Sequence, residues 1–156
     1  MDGELSAAFD EAIRQHLAGS TAALAAAVEG LTVEQLAATL GPETNSIAVL
    51  VAHTMATARS ILHDLADDPI PKDRAAAFAV TGRSSSELLA LINEFAVESE
   101  GLLARALAAP PDRQVQRYRL ASQTWWLLQV TGHTREHAAH AGLTRQLVLA
   151  GSGSTG

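Results

Sequence analysis

Residues 124–147 read TWWLLQVTGHTREHAAHAGLTRQL, and three of the chain's six histidines, His133, His137 and His140, fall there directly behind its only two tryptophans. At about 100° of rotation per residue, His133 and His137 stack one helical turn apart and His140 returns close to the direction of His133. Trp126, Val130, Thr144 and Leu147 continue the same stripe. The period predicts a helix over about 121–149 whose imidazoles turn toward a protein interior. Two histidines at i and i+4 on an inward face can give two nitrogen ligands to one metal ion, with a third to come from another helix. The same residues also spell H-x-x-E-H, an inverted zinc-peptidase signature with Glu136 as base. That chemistry needs an acidic third ligand downstream, and no Asp or Glu follows His137. The peptidase reading fails.

Working outward, three more segments carry a helical period. The first covers about 4–29, with Leu5, Phe9, Ile13, His16, Ser20, Leu24 and Ala27 as its stripe. The second starts at Asn45 or Ser46, either a suitable N-cap, and buries Ile47, Leu50, Val51, Ala58, Ile61, Leu62 and Leu65. The third opens on a Ser84–Glu87 capping box and presents Leu88, Leu91, Ile92, Phe95, Leu102, Leu103 and Ala106 until Pro110-Pro111 ends it. Between the second and third lies a long connection containing DDPIPKD, which cannot continue a helix; it crosses the bundle or holds a short helix near RAAAFAV. These elements predict an all-α four-helix bundle, a single domain over residues 1–150 followed by a Gly/Ser tail at 151–156.

Composition sharpens this reading. Aromatic residues are 4% against 47% hydrophobic, so the core is built from small and aliphatic side chains that suit close-packed helices. The formal charge of -6, with no run of Lys or Arg, argues against a nucleic-acid partner. There is no cysteine, which excludes thiolate ligands, disulfides and a protein thiol nucleophile. No apolar run reaches the length of a membrane span, and the acidic opening MDGELSAAFDEAIRQH lacks the layout of a secretory leader. A cytoplasmic location is the expectation. Weakly charged, alanine-rich helix faces would also permit a homodimer.

His53, at the edge of the second helix's apolar arc, is the candidate third ligand to join His133 and His137. His16 sits in the first helix's stripe, where a hydrogen-bonded core histidine is the simpler reading and lining of the same cavity the functional one. His140 lines the pocket or supports the ligands from behind, and Glu136 has the same supporting position. His63, near a helix end beside Asp64, reads as solvated. The tryptophans and leucine stripes read simply as core.

NSIAVLVAH, which opens the second helix, and WWLLQVTGHTREHAAH on the fourth resemble the DinB-like superfamily of small four-helix bundles, over roughly residues 4–149. In that pattern a histidine ends a W-S-I-led stretch on the second helix, and a Trp-led apolar run enters H-x-x-x-H on the last. His53 matches the first, His133 and His137 the pair, Trp125 to Leu128 the lead-in, and His140 the following position where Gln or His is common. Asn45 stands where the family often has Trp, Gln129 where many members carry His, and the HRGQ-like ending is absent. An alternative register takes Glu136 and His140 as the ligands, but only the His133–His137 register also places the tryptophan.

Three neutral imidazoles suit a divalent zinc or nickel ion and leave it an open position. The resemblance implies a metal-dependent transferase that delivers a low-molecular-weight thiol, as thiolate, to an electrophilic substrate. It also admits thiol-dependent isomerisation. The alternatives are a non-catalytic metal-binding, stress-related bundle and a purely structural one.

Overall fold

The computed structural model describes residues 3–71, 75, 78, 80 and 82–152. Its bounded elements are α1 (Gly3–Val28), α2 (Val33–Ala37), α3 (Ile47–Leu65), α4 (Ser85–Ala108), β1 (Gln114–Gln116), β2 (Leu120–Ser122) and α5 (Gln123–Ser152). The expected all-α bundle is present, built from the four long helices. The short helix expected near residues 74–80 falls largely outside the described residues, though Ala75 and Phe78 are both helical. At the other end α5 runs on through Ser152, and 153–156 lie outside the described residues.

The helix starts follow local chemistry. Ser46 caps α3 by accepting from the Val49 amide, and Ser84 and Glu87 form the reciprocal capping box of α4. A second capping box, Thr32 with Gln35, opens the short α2, which is too brief for an apolar period to predict. At the far end of α3 the chain stops through Asp67, whose φ of 56° is the left-handed conformation that closes a helix. The Asp68 amide then donates back to the His63 carbonyl at 3.0 Å.

Hydrogen bonds between helix ends fix the topology. Ser85, opening α4, donates to the Val28 carbonyl that closes α1. Arg145, late in α5, donates to the Ala27 and Glu29 carbonyls at the same end. Gln123, opening α5, donates instead to Leu65 and Ala106, near the finish of α3 and α4. α1 and α5 therefore run one way, and α3 and α4 the other. Each of α3 and α4 packs on α1, α3 and α4 pack on each other, and α5 packs on α1 and α3, with α1–α3 the weakest of these contacts. Because α3 and α4 are parallel neighbours, the end of α3 and the start of α4 lie at opposite ends of the bundle. No tight turn can join them.

The core is aliphatic, with Phe95 and Trp126 its fully buried aromatics. Two details depart from the sequence reading. On α1 the buried stripe runs through Ile13, Leu17, Ser20, Thr21 and Leu24, leaving Leu5 and His16 exposed. Before α5 the chain forms a hairpin, with Val115 paired to Ala121 and both facing inward. It delays the helix to Gln123, and Trp126 Nε1 donates to the Val115 carbonyl at 3.1 Å. Trp125 is only partly buried against the core, so just one of the two tryptophans is core proper. Among the described residues no helix is long and apolar enough to cross a membrane.

Candidate metal site

Gln123 sets the register of α5 against α3. Its buried amide nitrogen donates to Leu65 at 3.2 Å and Ala106 at 2.7 Å, while its oxygen accepts from both Arg113 Nε and Nη2. Two antiparallel helices pinned at Leu65 and Gln123 rise at the same rate along their axes. Twelve residues back from Leu65 stands His53, and twelve on from Gln123 stands Arg135, midway between His133 and His137. The register alone brings the three histidines level.

Around α5 the buried stripe passes through Trp126, Val130, Thr134, Ala138 and Ala141. His133 and His137 lie on its rim and are half-buried, as is His53 on the rim of α3. The neighbouring buried hydroxyls are satisfied within their own helices: Thr134 donates to Val130, Thr131 to Leu127, and Thr54 to Leu50. In contrast, the Nδ1 atoms of His133 and His137 are buried without a hydrogen-bond partner.

His133 Nε2 and His137 Nε2 are 3.1 Å apart. The ring of His53 meets both edge-on, at centroid distances of 5.2 Å and 5.3 Å. One donor atom from each of the three residues lies within 4.8 Å of the others. Nitrogens on a tetrahedral zinc, each about 2.0–2.1 Å from the ion, are about 3.3 Å apart, so the α5 pair already has the right span. Among the described residues this is the one group of three or more His, Asp or Glu side chains whose donor atoms converge.

The electrostatics keep the nitrogens available. Burial, followed by the neighbouring His137 and His53, lowers the His133 pKa to about 4. Burial also lowers that of His137, opposed by Glu136 and reinforced by His140. Both rings are therefore neutral near pH 7, the form that can ligate. A single proton shared between the two Nε2 atoms leaves a bare lone pair on one Nδ1 and an N–H on the other. Both Nδ1 atoms are buried without a hydrogen-bond partner, a costly arrangement for polar atoms. An ion taking a lone pair from each Nε2 would leave both Nδ1 atoms as N–H donors, so it is the convergence of neutral ring nitrogens, and not the Nδ1 atoms, that fits a metal.

The other sequence candidates lie elsewhere. His140 and Glu136 are exposed, being farther around α5 from the buried stripe than the ligand pair, and Leu147 is 49% exposed. The Glu136–His140 register is not the one that converges. His16 is exposed and lines a surface groove between α1 and α5 with Gly19, Ser20 and Arg135, rather than joining the three-histidine group.

His63 corrects the expectation of a solvated side chain. It is 8% exposed, with Nδ1 donating to the Asp68 carbonyl at 2.9 Å and Nε2 against Glu98 at 3.0 Å. Glu98 also takes a 2.5 Å ion pair from Arg59. This is a structural clamp between the parallel α3 and α4. Its key partner comes from a helix that local sequence around His63 does not reveal.

Phe78 is the site neighbour that sequence reasoning passed over. Its ring lies 4.6 Å from that of His53, tilted by 40°. The one available signal was a lone aromatic in the alanine-rich stretch RAAAFAV.

A family model described as the DinB superfamily matches residues 16–141, which span α3, α4 and all three converging histidines. No curated protein matches the chain.

Proposed function

The chain belongs to the DinB superfamily, and from that membership and its three facing imidazoles we propose that it is a metal-dependent transferase activating a low-molecular-weight thiol. The observation carrying this reading is the convergence of His53, His133 and His137 on one point from two helices. A divalent ion there, zinc or nickel by donor type, supplies Lewis acidity that lowers the pKa of a coordinated thiol and so yields a nucleophile near neutral pH.

The protein's own residues do the rest. His133 and His137 offer neutral nitrogens at a spacing fixed by one helical turn, and His53 closes the set across the α3–α5 seam. Three uncharged ligands would leave a bound ion its full charge, which would favour an anionic sulfur over a neutral one. The three rings are half-buried at the rim of the core, and Val130, Thr134 and Ala138 beside them on α5 are buried. Neither Nδ1 of the α5 pair carries a carboxylate or other base. A thiol, with an ordinary pKa near 8.5, needs less help to ionise than water.

The test is a conjugation assay of zinc- or nickel-loaded protein with a panel of low-molecular-weight thiols and a generic electrophile. The expected result is a rate above buffer for at least one thiol, abolished in His53→Ala, His133→Ala and His137→Ala. Metal-loaded protein without any such rate would leave the non-catalytic binding bundle instead. Return of the electrophile as a rearranged isomer, with the thiol regenerated, would mark the isomerase.

A further inference from the structure

We propose that Phe78 is a positioning residue for His53, holding its imidazole in the orientation that completes the three-nitrogen site; this rests on the metal-site reading above. His133 and His137 need little outside help, because one helix fixes their spacing. His53 alone arrives from a different helix, and its half-buried side chain must adopt one rotamer to meet them.

Three ring centroids lie within 5.3 Å of that of His53. The α5 pair meets it edge-on at 64° and 78°, and Phe78 stands 4.6 Å away. Phe78 comes from the connection between α3 and α4, and it is 39% exposed. A phenyl ring is a poor tenant of the surface unless its contacts are useful. Here it covers an imidazole with apolar surface and limits its rotation. A ligand already ordered before the ion arrives binds it more tightly, because less freedom is lost on binding. Phenylalanine has no donor atom for a metal, so any effect it has on affinity acts through His53.

The experiment is a zinc titration against a chromophoric chelator, on wild type, His53→Ala, Phe78→Ala, Phe78→Leu and Phe78→Tyr, with a thermal melt of each metal-free protein. Removing an aromatic pair of ordinary strength should weaken zinc binding about 3- to 10-fold in Phe78→Ala. Phe78→Leu, which keeps apolar bulk but no ring, should fold like wild type and still bind more weakly. Phe78→Tyr, which keeps the ring, should restore affinity to within about twofold. Rescue by tyrosine together with unchanged melting marks positioning rather than general packing. If wild type binds zinc and His53→Ala does not, yet Phe78→Ala and Phe78→Leu match wild type, the positioning role is overturned and the metal site stands. Failure of tyrosine to restore affinity overturns it as well. If wild type takes up no zinc, both fall.

Discussion

Replacing Gln123 by leucine removes the amide that pins α5 to the ends of two other helices. The side chain is 1% exposed and makes four hydrogen-bond contacts: two donated to the Leu65 and Ala106 carbonyls, two accepted from Arg113. Both carbonyls lie in last turns, where helical partners run out. At a net value of about 1 kcal/mol per bond the loss would approach about 4 kcal/mol. Two features reduce it: Arg113 still donates to the Leu65 carbonyl and pairs with Asp67, and the Ala109 amide still reaches Ala106 at 3.4 Å. The expected destabilisation is therefore about 2–3 kcal/mol, or roughly 5–10 °C in Tm for a chain of this size. Urea unfolding of the metal-free protein, followed by circular dichroism, measures it directly. The same variant should bind zinc more weakly. A one-residue slip of α5 is about 1.5 Å, comparable with a zinc–nitrogen distance of about 2.0–2.1 Å. A variant with less than about 0.5 kcal/mol of destabilisation and wild-type zinc affinity would refute the register argument.

Two further outcomes follow from the electrostatics. Because burial first, then His137 and His53, depress His133 to about pH 4 in the fold while the unfolded chain titrates near its ordinary value of about 6.5, the unfolded state binds more protons between those limits. Metal-free stability should fall as pH drops through that window, and His133→Ala should flatten the fall; an unchanged pH profile in the variant would contradict the assignment. Glu98 is held below the usual carboxylate range: burial opposes ionisation, but the hydrogen bonds and charges of His63 and Arg59 outweigh it. Its stabilising effect is present above the ordinary value and lost as pH falls through the lowered one, so Glu98→Gln should cost about 1 kcal/mol at pH 7, allowing for solvent screening, and the gap to wild type should close in acid. A gap that widens in acid would mean the clamp is not ionic.

The four long helices could be read from the chain because their signals are local. Ser46 and Ser84 cap where they stand, Pro110-Pro111 stops α4, and apolar spacing marks α3 and α4 almost residue by residue. The histidine pair was legible for the same reason, since i and i+4 is a local relation, and His53 stood at the edge of the second helix's apolar arc, where the family resemblance also matched it. What escaped was either short or distant. Thr32 and Gln35 spell a capping box, but a helix of five residues has little period to announce it. The strands around Tyr118 are three residues each, too brief for alternation to stand out. His63 looked solvated because Glu98, thirty-five residues on, becomes its neighbour only when α3 and α4 pack in parallel. His16 and His140 were placed by angle alone. A difference of a few tens of degrees around a helix separates a rim position from solvent, and only packing against neighbours decides it.

The proposed function depends on one divalent ion being held by three imidazoles. Anomalous diffraction at the zinc edge, from crystals of zinc-loaded protein, tests it most directly. The expected result is a single peak per chain about 2.0–2.1 Å from one nitrogen each of His53, His133 and His137. A zinc-loaded crystal with no peak between those residues, or with the peak on Glu136 and His140, would contradict it.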